Sequence, residues 1–337
     1  MPTKHRSVVA ITIGDPAGIG PEVVLGALKS PAVYERVIPV VIGNVELLAM
    51  VMQKVGISGL MPVRIENPRD AAGILGRMEV IDVDVPGLDK IRPGEVQEVG
   101  GHAADAFIRK ACELGLKGQI DAISTAPISK ESLRAAGIGE IGHTELLAKY
   151  LNAPNPLTLF ITENMRIFFL SRHFSLRKAI DYITEDRLVD TIRRVNSAMA
   201  NLGFHHPKIG VAALNPHASD GGQFGDEESS ILSPAISRAQ SDGINVIGPI
   251  GADSIFHQAL EGRFDCVISL YHDQGHIAAK TRDFFRTVTA TLDLPVLRTS
   301  VDHGTGFDIA WQGKARCISM EAAILAVCDL LSHESKS

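Results

Sequence analysis

The chain has 337 residues, of which 45% are hydrophobic and 21% charged, with a formal net charge of −6 and a pI near 6.1. This is the composition of an ordinary folded protein with room for two domains or one large α/β unit, and it excludes disordered and collagen-like chains. The acidic balance gives no electrostatic footing for nucleic acid or an anionic membrane surface, so any anionic ligand must be held by a local site.

The N-terminus places Lys4, His5 and Arg6 before VVAITI, an apolar run too short for a signal peptide. No stretch approaches a membrane span, so the expected location is the cytoplasm. Ser7–Ile13 alternates and β-branches like a first strand and breaks into GDPAGIGPE. Gly14, Gly18 and Gly20 lack the GxGxxG spacing of a Rossmann phosphate loop, whereas Gly20-Pro21-Glu22 reads as a helix start, with proline in the first turn and an acid at the positive end of the helix dipole. Strand and helix then alternate through Val37–Gly43, a helix from about Val45, Met78–Val83 and a long amphipathic helix over Gly100–Leu116. This is the grammar of a parallel sheet with helical crossovers.

Asp121–Ser124 is the next strand, running into TAPISK; GEIGHTELLAKYL follows, with His143 and Thr144 at a helix start. Thr144 is either the cap alone or, with His143, a seat for a phosphate or carboxylate. From Pro156 the pattern changes, and LTLFITENMRIFFLS predicts an antiparallel hairpin turning at Glu163-Asn164. The hairpin delivers His173 at a strand end, with Ser175 as the expected cap of the next helix, and a longer helix is expected over Glu185–Asn201. Lys208–Ala213 resumes the buried strands and ends in LNPHASDGGQFGDEE, a loop crowded with Asn215, His217 and Asp220; Asp253 follows at another helix start.

Cys266–Leu270 reads as one more buried strand, and it opens into YHDQGHIAAK. Two imidazoles (His272, His276), Asp273, Gln274 and Lys280 crowd these ten residues, at the carboxyl end of a strand where ligands of α/β sheets bind. Three histidines, His173, His217 and His272, thus each follow an apolar strand. If strand order brings them together, three neutral imidazoles would hold a divalent ion and leave positions open for substrate oxygens; His276, one helical turn from His272, is the rival ligand. Lys280 and Arg298 are natural clamps for phosphate or carboxylate, or simply surface charge. The tail holds LPVLRTSVDHGTGFDIAW and a helix over Glu321–Leu331. The four cysteines are far apart without CxxC spacing, so buried thiols are expected rather than disulfides or zinc knuckles.

GDPAGIGPE, STAPISK, GHTE, LNPHASDGG, YHDQG and RTSVDHGT stand in the order of the 4-hydroxythreonine-4-phosphate dehydrogenase family of pyridoxal phosphate biosynthesis, which the chain resembles from about Ile11 to the last helix. The GIGPE turn and the HGT…DIA run also look like the wider isocitrate and isopropylmalate dehydrogenase superfamily. The resemblance implies two α/β domains with a cleft between them and the antiparallel hairpin as a central segment. One domain is discontinuous, residues 1–135 and 300–337; the other, residues 136–299, carries the interface of a homodimer whose sites lie at the subunit boundary. It implies one divalent ion per subunit (zinc, cobalt, magnesium or manganese) on His173 and His217, with His272 contributed across the dimer. Substrate contacts map to His143, Thr144, Lys280, Thr289 and Arg298, and NAD lies near Asp302, His303, Gly304 and Asp308.

The implied reaction is oxidation of a secondary alcohol that bears a terminal phosphate, followed by decarboxylation of the β-keto acid. Asp253, Asp273 and Lys280 are the candidates for base or proton relay. The sequence departs from the biosynthetic enzymes at His276-Ile277, where they carry an apolar-proline step, and at Thr289, where they carry a substrate-binding Asn. Gly306 and Trp311 replace the small residues expected around DIA. YHDQGHIAAK and FGDEE look more like the branch acting on 4-phospho-D-threonate or 4-phospho-D-erythronate, whose product would be dihydroxyacetone phosphate; the alternative is the biosynthetic dehydrogenase itself, giving 3-amino-2-oxopropyl phosphate. Rivals of other classes are a metal-dependent hydrolase and a phosphate acyltransferase.

Overall fold

In the computed structural model, which describes residues 6–334, strand and helix alternate along the chain. The order begins with β1 (Ser7–Thr12), α1 (Gly20–Ala27), α2 (Pro31–Arg36), β2 (Val37–Gly43), α3 (Val45–Val55), β3 (Met61–Arg64), β4 (Arg77–Asp82), α4 (Glu98–Leu116), β5 (Ala122–Thr125), α5 (Lys130–Ala135) and α6 (His143–Tyr150). It continues with β6 (Leu157–Thr162), β7 (Met165–Phe169), α7 (Leu176–Tyr182), α8 (Glu185–Asn201), β8 (Ile209–Ala212), α9 (Ser233–Ser241), β9 (Val246–Ile250), α10 (Ala252–Leu260), β10 (Cys266–Ser269) and α11 (His272–Arg282). The chain closes with β11 (Val288–Leu292), β12 (Leu297–Val301) and α12 (Ile318–Glu334).

Two compact units result, one from residues up to Pro156 with Val288–Asp329, the other from Leu157–Thr287 and the chain from Leu330. Relative to the boundaries expected from sequence, residues 136–156 and 288–299 go with the first unit and the chain from Leu330 goes with the second. The physical reasons are local. Helix α6 packs on α4, with the Tyr150 hydroxyl donating to Asp105 at 2.5 Å, and β11 is hydrogen-bonded antiparallel to β12.

In the first unit the strand order is β3-β4-β2-β1-β5-β12-β11, parallel except for β11. Val8–Thr12 are all buried, between β2 and β5 with α4 packed on the strand, and β1 accordingly reads as a continuous apolar run. Helix α1 opens with Pro21 and Glu22 in its first turn, as expected. Asn44 caps α3 by accepting from the Leu47 amide at 3.0 Å. The Thr144 cap does not form: α6 starts at His143 behind Gly142, with no side-chain cap. Ser175 stands at the N-cap of α7, also without a side-chain bond.

In the second unit the order is β6-β7-β10-β8-β9. β6 and β7 form the expected hairpin, with Leu159 opposite Phe168, and Glu163 takes a left-handed conformation (φ 52°) at its turn; the other pairs are parallel. Ile167, Phe169, Val267 and Ala279 share a core cluster with Ile255 and Phe264. Helix α11 lies close against β7 because Gly275 faces it: a Cβ there would come within 2.7 Å of the Phe169 ring. Among the described residues no cysteine forms a disulfide, and no helix is long and apolar enough to cross a membrane.

Candidate active site

The three strand-end histidines leave neighbouring strands. β10 lies between β7 and β8, with Ser269 opposite Phe169 and Ile268 opposite Val211. The parallel arrangement sends the segments ending in His173, His272 and His217 out of the same end of the sheet. β9, beside β8, ends there too and leads into the first turn of α10, where Asp253 is exposed.

The His173 and His272 rings stand 6.4 Å apart between centroids. The His272 Nδ1 lies 2.6 Å from the Asp273 carboxylate. A carboxylate on Nδ1 favours the tautomer that leaves the lone pair on Nε2, the usual arrangement of a ligating imidazole. His276 is a poor rival. Its Nδ1 lies 2.8 Å from the His272 carbonyl and its ring stacks on His272 at 3.6 Å and 11°, with the Phe160 and Phe169 rings at 4.1 and 4.7 Å. Nitrogen lone pairs lie in the ring plane, so two parallel stacked rings cannot both aim at one ion. Among the described residues, no group of three metal-capable side chains converges within the chain.

Gln274 positions the loops rather than reacting. Its carbonyl oxygen accepts from the Leu270 amide at 2.8 Å, and its amide donates to the Ala213 carbonyl at 2.8 Å, fastening the His272 segment to the His217 segment. A cavity of about 110 Å³ opens beside His272, with Arg172, Tyr271 and Asp273 on its polar wall. Lys280 follows two helical turns later on α11, half-buried, with Nζ 5.3 Å from the Phe284 ring.

In the first unit, Arg298 is the second residue of β12, opposite Thr291 on β11 and Ile123 on β5. It is 4% exposed, and among the described residues its guanidinium donates only to hydroxyls: Thr125 at 2.8 and 3.2 Å, and Thr291 at 3.1 Å. Burial pushes its pKa down to about 9, so at neutral pH it is a charged group without a carboxylate partner among the described residues. His143 adjoins this charge. As a residue it is half-buried, but its Nε2 has neither solvent nor a hydrogen-bond partner. Burial first and the Arg298 charge second hold the ring well below its ordinary 6.5, against the opposing contact with the Ala126 carbonyl. A neutral imidazole that spends its one proton on that carbonyl offers Nε2 as an acceptor. Thr144 and Thr289 are half-buried, and Thr289 lies opposite Ser300.

The His143 environment carries a stability consequence. The native ring resists protonation while the unfolded one titrates near 6.5, so the unfolded state binds more protons below that pH. Stability is full above 6.5 and falls as the pH drops beneath it. Urea unfolding at pH 5 and pH 7 is expected to show a smaller loss for H143N than for wild type; equal losses would mean that His143 protonates freely in the fold.

Two further loops meet beyond the ends of β1 and β12. The Ile19 amide donates to the Thr305 carbonyl at 2.8 Å, the Gly313 amide to Glu22 at 2.7 Å, and the Trp311 indole to the Pro16 carbonyl at 3.0 Å. Trp311 is 5% exposed, so it braces the loop from behind. Asp302 and His303 are half-buried there, and Gly304 and Asp308 exposed. Sequence reading missed Asp15, fully buried after β1. Burial raises its pKa, against the Ser132 hydroxyl and the Ala17 amide.

The family described as pyridoxal phosphate biosynthetic protein PdxA matches residues 35–327, a span that contains every residue named above for this site except Asp15, Pro16, Ala17, Ile19 and Glu22. The chain belongs to the PdxA family. A relative from Clostridium botulinum, provisionally named D-threonate 4-phosphate dehydrogenase, is 47% identical over 324 residues, covering 96% of this chain and 97% of its own. One from Symbiobacterium thermophilum with the same provisional name is 48% identical over 320 residues, 95% of each chain. The crystal structure of 4-hydroxythreonine-4-phosphate dehydrogenase from Klebsiella pneumoniae superposes with a TM-score of 0.89 at 38% identity, over 96% of this chain and 99% of that one. PdxA-family membership therefore extends across both units.

Proposed function

We propose that this protein is an NAD- and divalent-metal-dependent dehydrogenase. It oxidises the C3 hydroxyl of 4-phospho-D-threonate or 4-phospho-D-erythronate, and the 3-keto acid then loses its carboxylate as carbon dioxide to leave dihydroxyacetone phosphate. The observation that carries the reading is Arg298: a buried guanidinium that, among the described residues, is satisfied only by hydroxyls favours an anion, and this substrate class supplies one. The two relatives at 47% and 48% identity support the sugar-acid branch by name.

Each residue has a task that its surroundings suit. Arg298 holds an anionic group of the substrate, and the neutral His143 accepts a hydrogen bond from a substrate hydroxyl at Nε2, with Thr144 and Thr289 as further hydroxyl contacts. Asp273 orients His272. Lys280 and Asp253 are the candidates to take the C3 hydroxyl proton and to return one to C2 after carbon dioxide leaves. The imidazoles of His173, His217 and His272, with a carboxylate already on His272, suit a divalent ion, and His272 is given across a cytoplasmic homodimer. Bound there, the ion would polarise the substrate oxygen, while NAD, near Asp302, His303, Gly304 and Asp308, would accept the hydride.

The test is initial-rate NADH formation with added divalent metal, offering 4-phospho-D-threonate and 4-phosphooxy-L-threonine in parallel. A clear preference for the sugar acid is expected. Preference for the amino acid would move the protein to the biosynthetic reaction, the name carried by the Klebsiella structure. No NADH from either would overturn the dehydrogenase reading.

A further inference from the structure

The loop that carries His217 has an unusual backbone. His217, Ala218, Ser219, Asp220 and Gly221 are consecutively left-handed, with φ of 52°, 56°, 70°, 44° and 71°. Only one of the five is glycine. L-residues enter this region singly and at a cost, so a run of four non-glycine residues persists only where the surroundings hold it.

One side chain does most of the holding. Glu228 is 4% exposed, and both of its oxygens accept from the loop. Oε1 takes the Leu214 amide at 2.9 Å and the Asn215 amide at 2.7 Å, while Oε2 takes the Asn215 side-chain amide at 2.9 Å and the Ser219 hydroxyl at 2.6 Å. The bonds therefore fall on both sides of His217, two and three residues before it and two residues after it. Asn215 is held a second time by Glu227 at 2.7 Å, and the Ser219 hydroxyl also reaches the Gly225 carbonyl at 2.6 Å. The closure needs glycine at 225 (φ 124°), where a Cβ would lie 2.5 Å from Glu227 and 2.8 Å from the Asn215 amide.

We propose that Glu228 is a positioning residue for His217, fixing the left-handed loop so that the imidazole is presented at the end of β8. Its role is exerted through the backbone, by clamping the two feet of the turn. The inference rests on the reading of His217 as a metal ligand, and a carboxylate placed one layer behind a ligand has a known scale of effect on affinity.

The test is titration of the full-length, metal-stripped protein with Co²⁺, read by calorimetry and by the visible absorption of the bound ion, in wild type, H217A, E228A, E228Q and S219A. E228A is expected to weaken Co²⁺ by about 10- to 100-fold, to change its spectrum, and to speed amide exchange at Leu214 and Asn215. E228Q keeps a carbonyl acceptor for those two amides and is expected to recover most of the affinity. S219A removes the hydroxyl shared between Glu228 and the Gly225 carbonyl and leaves the Leu214 and Asn215 bonds, so it should fall between, with little loss of thermal stability. S219A decides the matter if E228A does not fold. H217A binding like wild type would remove His217 from the metal site and take this proposal with it. Weakened H217A beside wild-type affinity and spectrum in S219A, and in E228A where it folds, would overturn the positioning role alone.

Discussion

Replacing Arg298 with methionine is expected to leave the fold as stable as wild type, or more so, while removing most of the activity. The guanidinium is enclosed within the first unit, and its partners are the Thr125 and Thr291 hydroxyls rather than a carboxylate. Three hydrogen bonds to neutral groups offset only part of the desolvation of a buried charge. Exchanging buried ionic groups for apolar side chains of similar volume is often neutral or stabilising by about 1–4 kcal/mol. The substrate complex responds in the opposite direction. Loss of one member of a buried, hydrogen-bonded charge pair costs about 2–5 kcal/mol, and kcat/KM should fall by a factor on the order of 10² to 10³. Inorganic phosphate should raise the melting temperature of wild type and leave that of R298M unmoved, because a ligand stabilises only the state that binds it. R298K should recover part of the phosphate effect and little of the activity, since lysine keeps the charge and loses the planar fork. A destabilised R298M with unchanged kinetics would make Arg298 a structural residue and leave the anion site unassigned.

Arg298 also shows where a sequence is readable. RTS after an apolar run gives a strand and a cation, but not that the cation points into a row of threonines. That depends on Thr125, distant in sequence, and on the register that sets Thr291 opposite Arg298. The histidines divide in the same way. Each strand-end position is visible locally, because a buried parallel strand reads as an apolar run and the polar residue after it stands out. Their adjacency is not visible, since β7, β10 and β8 neighbour one another in an order that the chain does not follow. His276, at helical spacing from His272, resembles a chelating pair in one dimension; only ring planes stacked at 3.6 Å remove it. Gln274, Glu228 and Asp15 were hard to read for a different reason. They act by accepting or donating to particular backbone groups, and a sequence records the side chain but not the amide it meets. The expected Thr144 cap failed because the helix begins two residues earlier, at His143 behind Gly142.

The second large effect is expected from mixing two inactive variants. H173A and H272A should each lose more than about 100-fold in kcat/KM, beyond what the loss of an outer-shell partner costs a metal site. Among the described residues no group of three metal-capable side chains converges within one chain, and the proposed site draws His272 from a second chain. Suppose His272 crosses the dimer. In a mixed dimer one site then combines both substitutions, and the other combines an intact His173 and His217 with an intact His272. Random re-pairing makes about half of the dimers mixed, each with one good site of two, so roughly a quarter of wild-type activity and of tight metal binding should return. If instead His173 and His272 ligate from the same chain, as the 6.4 Å between their rings would permit, every site in the mixture is broken and nothing returns. Unfolding and refolding the variants together, with metal stoichiometry and rate measured on the same sample, separates the two arrangements. A recovery near one quarter in both readouts requires a shared site; activity that stays at the level of the single variants assigns the histidines to one chain and removes the dimer from the chemistry.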